Sequence, residues 1–266
     1  AVLAQHGRRG EFRPVRWEIN FGPDGPLSSL KFDLGDGREM ELVGRVDRID
    51  AASDGSNYYL RVIDYKSGKS SWDLTDLFYG LKMQLMVYLL VSLSNSALLV
   101  GEDALPAGML YFGVHNPFIS ADAPLEEEKA KEEVLKSMKM KGVVIADPQI
   151  LNLMDREARR FSPLVPVALR ADGSVEQRYG GVSFTQFNLL KEHFLKHLRQ
   201  ASCQILDGFT AISPYKKGNF SACRYCSFKP VCHFDPLMAD NRFRPLVKPA
   251  DLWSELKSRV GEDKDE

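Results

Sequence analysis

Cysteine is scarce in this chain, with four among 266 residues, too few for a disulfide-stapled secreted scaffold of this length. No apolar run approaches the ~20 residues that a membrane-crossing helix needs. An excess of one charge is missing too: 35 Lys and Arg against 36 Asp and Glu leave a formal net charge of −1. No global basic field therefore marks a nucleic-acid partner, and such contacts must come from local patches. There is no internal repeat. Two familiar motifs also fail. Gly68-Lys69-Ser70 ends like a phosphate-binding loop, but Ile63 stands where that motif needs its first glycine. His193 and His197 share a helical face, yet Phe194 replaces the glutamate that a zinc peptidase requires. What remains is a cytoplasmic protein with reduced thiols, long enough to bury a sizeable core.

What is present is concentrated between Gly44 and Tyr88. Asp47 sits between Val46 and Ile49, after the apolar Leu42 and Val43, and Asp64 follows the apolar Leu60, Val62 and Ile63, so each acid belongs to a strand. Ala51 to Asn57 between them is rich in Ser, Asp, Gly and Asn, the composition of a hairpin loop. The strands are then antiparallel neighbours with their acids near one end. Side chains alternate along a strand, so Asp64 and Lys66 share a face and Tyr65 takes the other. Two carboxylates suffice for Mg²⁺, which keeps several waters, and a lysine beside them can neutralise charge developing on phosphorus. Leu74 to Val100 has apolar residues at helical spacing, with Asp73 or Thr75 as N-cap, and Gln84 and Tyr88 fall on one face of it.

The second cluster is Cys223, Cys226 and Cys232, a Cys-x-x-Cys followed closely by a third thiol. Such spacing lets a short loop aim thiolates at one metal. Zinc would be completed by His233, and an iron–sulfur cluster would need a fourth cysteine. Cys203 lies on the amphipathic pattern of Phe184 to Leu206 and reads as core. Arg48, Lys69, Lys217 and Arg224 are candidate phosphate contacts, with Phe220 and Tyr225 available for stacking on bases.

Asp47, Asp64-Tyr65-Lys66, and Gln84 with Tyr88 resemble the motifs of PD-(D/E)xK nucleases in their RecB-like form. The resemblance implies that Asp47 and Asp64 bind Mg²⁺, that Lys66 is catalytic, and that Gln84 and Tyr88 line the site. The same family adds an upstream His or Glu ligand, for which His6, Glu11 and Glu18 are the candidates here. Gln204 to Gly208, Ser213-Pro214-Tyr215 and the cysteine triplet are similar to the C-terminal region of AddB-type helicase–nuclease subunits. Ala107 to Phe112, Asp155 and Val182-Ser183-Phe184 fit that pattern in order. This likeness implies that Cys223, Cys226 and Cys232 ligate a [4Fe–4S] cluster whose fourth ligand lies upstream, so that the chain is a C-terminal piece of a longer protein. It also implies an AddA-like partner subunit and single-stranded DNA from an unwound end as substrate, in recombinational repair of double-strand breaks.

The expected fold is α/β, a restriction-endonuclease-like core with a mainly helical C-terminal extension carrying the Cys-rich metal site. Strands are expected near 15–21, 29–35, 39–50, 58–66 and 105–115, backed by a helix over Leu74 to Val100. Hairpins are expected over Leu27 to Val43 and Val165 to Val182. The expected divisions are 1–118 for the nuclease core, 119–245 for the extension, and 246–266 for a C-terminal helix and charged tail. The rival readings are a non-catalytic DNA-binding module and a zinc-stapled interaction domain.

Overall fold

The computed structural model describes residues 7–68, 71–115, 117–121, 123–176, 179–238 and 242–261. The chain divides into two compact units, residues 1–73 with 82–191, and residues 74–81 with 192–266.

The first unit is built on a six-stranded sheet. Its strands are β1 (Arg13–Phe21), β4 (Gly44–Ser53), β5 (Tyr58–Lys66), β6 (Ala104–Gly113), β7 (Lys141–Ile145) and β8 (Gly181–Val182), in the order β1-β4-β5-β6-β7-β8. β4 and β5 form the expected hairpin. Asp54 shapes its turn by accepting the backbone N–H groups of Ser56 and Asn57 at 2.8 Å each. β5 and β6 run parallel, which requires a crossover, and the helix Gln84–Ser94 supplies it. That helix packs on β5 and β6 with Leu85, Met86 and Leu89 fully buried. Between β1 and β4 the chain makes a separate two-stranded hairpin, β2 (Leu30–Gly35) with β3 (Arg38–Leu42), turning at Gly35-Asp36-Gly37 as expected. The single strand expected over 39–50 is thus two strands in different sheets.

The expected helix over Leu74 to Val100 is broken in three: Leu74–Phe78, Gln84–Ser94 and Ser96–Val100. Gly80 and Lys82 adopt left-handed backbone with φ of 72° and 50°, which ends the first segment. Asn95 interrupts the second. Its side chain donates to Val91 O at 2.8 Å and to Ser28 O at 3.1 Å, and accepts the Ser28 N–H at 2.9 Å. It thereby competes for a helical carbonyl and ties the helix end to the segment before β2. The sheet also takes in β7 and β8, which lie beyond residue 118. Over 165–182 the described residues form no continuous hairpin. A turn at Ala171-Asp172-Gly173 is flanked by isolated bridges, and Gly181–Val182 pairs in parallel with β7. Asp155 is buried and held by Arg9 and Ser162, a joint of the fold.

In the second unit the helical residues after 191 of Phe184–Leu206 pack with Leu74–Phe78 and with the helix Leu252–Gly261. His193 and His197 both direct Nε2 at the Phe78 carbonyl, at 2.8 and 3.1 Å. Arg259 lies 4.1 Å over the Phe78 ring. A small sheet of β9 (Tyr215–Lys217), β10 (Phe220–Ser221) and β11 (Arg244–Pro245) completes the unit. No helix among the described residues is long and apolar enough to cross a membrane.

Candidate active site

The β4–β5 ladder runs from Ser53↔Tyr58 to Arg48↔Ile63. The next pair in the same register is Asp47 with Asp64, and there a side chain takes over. The Tyr65 N–H donates to Asp47 Oδ2 at 3.0 Å. Opposed residues of an antiparallel pair point to one face, so Asp47, Asp64 and Lys66 share the face that carries the buried Ile49 and Val62. The expected placement of the two acids and the lysine is what the backbone produces.

Lys66 Nζ lies 2.5 Å from Asp64 Oδ2 and donates to Gln84 Oε1 at 3.3 Å. Gln84 Nε2 donates in turn to Tyr88 Oη at 2.7 Å, so the helix returns both residues to the site. Tyr88 is fixed by an edge-on contact with Phe21, centroids 6.1 Å apart. Burial pushes the Asp64 carboxyl above its ordinary range. The Lys66 ion pair opposes that shift and the neighbouring Asp47 charge adds to it. Tyr88 is also raised, first by burial. Asp64 is therefore a desolvated carboxylate with a like charge beside it. One lysine does not offset that environment. The donor set is hard oxygen, which suits a divalent cation such as Mg²⁺.

One residue at the site has no counterpart among the expected ones. Tyr111 on β6 is the parallel partner of Asp64, and its ring faces Lys66 Nζ at 5.0 Å, close enough for a cation–π contact. Trp72 packs against Tyr111 with centroids 5.8 Å apart. Only the β5–β6 register brings Tyr111 there, and no local pattern signals it.

A family model described as the PD-(D/E)XK nuclease superfamily matches residues 1–233. The chain belongs to this superfamily. It is 45% identical over 98% of its length to a subunit of the ATP-dependent helicase/deoxyribonuclease of Desulforamulus reducens, of which it covers 23%. It is 43% identical over 96% of its length to the like-named protein of Pelotomaculum thermopropionicum, covering 22% of it. With the Bacillus subtilis protein of the same name it shares 40% identity over 94% of its length, again covering 22%. The chain thus spans under a quarter of the length of these relatives.

Set against the superfamily's motif, the remaining candidates fall elsewhere. Arg48 points to the sheet face opposite Asp47. There it chelates Asp50 at 2.5 and 2.9 Å and donates to Tyr65 Oη at 3.1 Å. Arg61 reaches the same Asp50 at 3.0 and 2.8 Å, so Arg48 belongs to a buried ion network. Lys217 pairs with Asp76 at 2.5 Å. Arg224 is exposed and lies 5.5 Å over the Tyr225 ring. Lys69 and His6 lie outside the described residues. Glu11 pairs with Arg156 at 3.1 Å and Glu18 with Arg45 at 2.9 Å, and neither joins the two acids in a group of three among the described residues.

The thiols are not assembled into a metal centre. All four cysteines are free, and no group of three or more His, Cys, Asp or Glu side chains among the described residues is placed to hold one ion. Cys223 sits in the single turn Ala222–Tyr225, Cys226 just beyond it, and Cys232 ends the separate turn Lys229–Cys232. Each turn closes on its own backbone bonds, Cys226 N–H to Cys223 O at 3.4 Å and Cys232 N–H to Phe228 O at 2.8 Å. Sequence spacing alone does not make the three sulfurs converge.

Proposed function

We propose that this chain is the nuclease module of a helicase–nuclease subunit and hydrolyses DNA phosphodiesters with Mg²⁺. The observation that carries the reading is the chain of contacts Asp47–Tyr65 N–H and Asp64–Lys66–Gln84–Tyr88 at the end of two adjacent strands. Asp47 and Asp64 would hold the ion, which supplies Lewis acidity and neutralises phosphate charge. Lys66 neutralises charge developing on the phosphate and is presented to it by Gln84 and the Tyr111 ring. Gln84 and Tyr88 hold the lysine in a fixed orientation, and the Tyr65 N–H does the same for Asp47.

The relatives are named as subunits of an ATP-dependent helicase/deoxyribonuclease, which supports a place in a helicase–nuclease; the finer setting is our inference from the resemblance of the motifs. As part of such an enzyme the module would act on single strands leaving an unwound duplex end, beside an AddA-like subunit, in recombinational repair. Four free thiols accord with a cytoplasmic setting. Cys223, Cys226 and Cys232 offer three of the four thiolates of a [4Fe–4S] cluster. No group of three or more ligands is assembled among the described residues, and a cluster would need a fourth ligand besides these three. Iron and zinc analysis after anaerobic purification distinguishes the cluster from a zinc staple.

The deciding experiment is cleavage of linear duplex and single-stranded DNA by the purified chain in Mg²⁺ and then Mn²⁺. Asp64→Ala should abolish cleavage while the circular dichroism spectrum is unchanged. Wild-type rates in that variant would overturn the assignment.

A further inference from the structure

The β5–β6–β7 registers place Asp64, Tyr111 and Lys141 in one row across three strands. Partners in register lie on one face at ~4.8 Å per strand, so Lys141 is rooted ~10 Å from Asp64 on the same side. Around it is an open concavity of about 440 Å³ lined by Lys139, Lys141, Phe161, Pro166 and Tyr179 among others. Lys139 is half-buried, no carboxylate pairs with it among the described residues, and burial alone pulls its pKa down. Phe161 and Tyr179 are 51% and 66% exposed, with ring centroids 6.1 Å apart in an edge-to-face pair.

Arg160 lies 5.5 Å over the Phe161 ring. It leads into a second concavity of about 590 Å³, lined by Arg159, Arg160 and Arg170 with Glu176 as the acid among its described residues. Lys136 also borders the first concavity but is paired with Glu132 and Glu133, so its charge is already met. Tyr179 has φ of 60°, a strained conformation for an aromatic residue. Next to it, a Cβ on Gly180 would stand 2.4 Å from Gly142 O. The turn thus passes close to the Gly142 backbone, and Tyr179 beside it is exposed.

We propose that Lys139, Lys141, Arg159, Arg160, Phe161 and Tyr179 form a binding surface for single-stranded nucleic acid, which it leads toward the Asp47–Asp64 row. The direction of travel rests on the nuclease reading, and the binding itself does not. Cations along an open groove track phosphates, and exposed rings stack on bases. A duplex hides its base faces, so rings of this kind select a single strand.

The test is fluorescence anisotropy of a labelled oligothymidylate of about 16 nucleotides with the full chain in EDTA. Phe161→Ala with Tyr179→Ala should weaken binding about 10-fold or more, while Phe161→Tyr, which keeps a ring at 161 beside an intact Tyr179, should bind close to the wild type. Lys139→Ala with Arg160→Ala should reduce the slope of log K against log salt by about 1.4. Matched thermal midpoints show that the variants fold. Unchanged affinity and salt slope in these variants would overturn the inference, as would tighter binding of polyglutamate or of an equal-length duplex. Cleavage by Asp64→Ala in Mg²⁺ is measured separately from binding. If that variant still cleaves DNA, the nuclease assignment fails while the binding result stands.

Discussion

The backbone N–H of Tyr65 donates to the Asp47 carboxylate at 3.0 Å, so one strand of the candidate site holds the acid of the other. The bond engages one carboxylate oxygen, Oδ2. Asparagine at 47 keeps an acceptor for that N–H, and alanine does not. Both Asp47→Asn and Asp47→Ala should lose cleavage by at least about 100-fold. In urea, Asp47→Ala should be about 1 kcal/mol less stable than Asp47→Asn. Equal midpoints for the two would show that the bond contributes nothing to the fold.

On the reverse face of the same strands, Asp50 takes two arginines at once. Burial works to raise its pKa, but the Arg61 and Arg48 charges outweigh burial and hold the carboxyl below its ordinary range. A depressed carboxyl stabilises the fold above its unfolded pKa, and that stability is lost as pH falls through the folded value. Asp50→Ala would strand two buried guanidinium groups and should cost about 3–5 kcal/mol in chemical denaturation. Arg48→Ala should destabilise the fold yet leave the salt dependence of DNA binding unchanged. A reduced salt slope would instead return Arg48 to the DNA surface.

Arg48 marks what the sequence discloses and what it conceals. Period-two alternation puts Asp64 and Lys66 on one face and sets Arg48 and Asp50 opposite Asp47. The hairpin composition of Ala51 to Asn57 brings the two acids to one end, so the acids and the lysine are legible. The helix over Leu74 to Val100 is not, because apolar spacing persists through Phe78 and Leu81, while the break comes from backbone at Gly80 and Lys82 and from the Asn95 side chain. Tyr111 is invisible because only strand register, a non-local property, sets it beside Lys66. The cysteine spacing gives ligand chemistry but not convergence, because where the three sulfurs point depends on the path between the two short turns, which spacing does not set.

In the second unit His193 is pulled down to about 4, chiefly by burial, although its bond to the Phe78 carbonyl opposes the shift. The folded state therefore keeps it neutral while the unfolded chain takes a proton near pH 6.5. Stability is full above that value and declines as pH falls from about 6.5 toward 4. His197 is lowered too, again chiefly by burial. Thermal unfolding at pH 7, 6 and 5 should show a falling midpoint that flattens in His193→Gln. An identical pH slope in the variant would place the proton uptake elsewhere.

Metal binding and chemistry should separate at Asp64 and Lys66, which lie 2.5 Å apart. Asp64 is raised first by burial and further by Asp47, so an ion that meets both carboxylates relieves a cost the empty site carries. Binding to the folded state alone stabilises it by about 2.7 kcal/mol at a hundred times the dissociation constant. Ca²⁺ or Mg²⁺ should therefore raise the thermal midpoint of the wild type, and EDTA should reverse the rise. Asp64→Asn should abolish the metal-induced shift together with cleavage. Lys66→Met should keep the shift while losing cleavage by about 100-fold or more, because it removes charge from the phosphate side without removing an oxygen donor. A variant at Lys66 that also lost the metal shift would make the lysine part of the ion's own site and not a separate group acting on the phosphate.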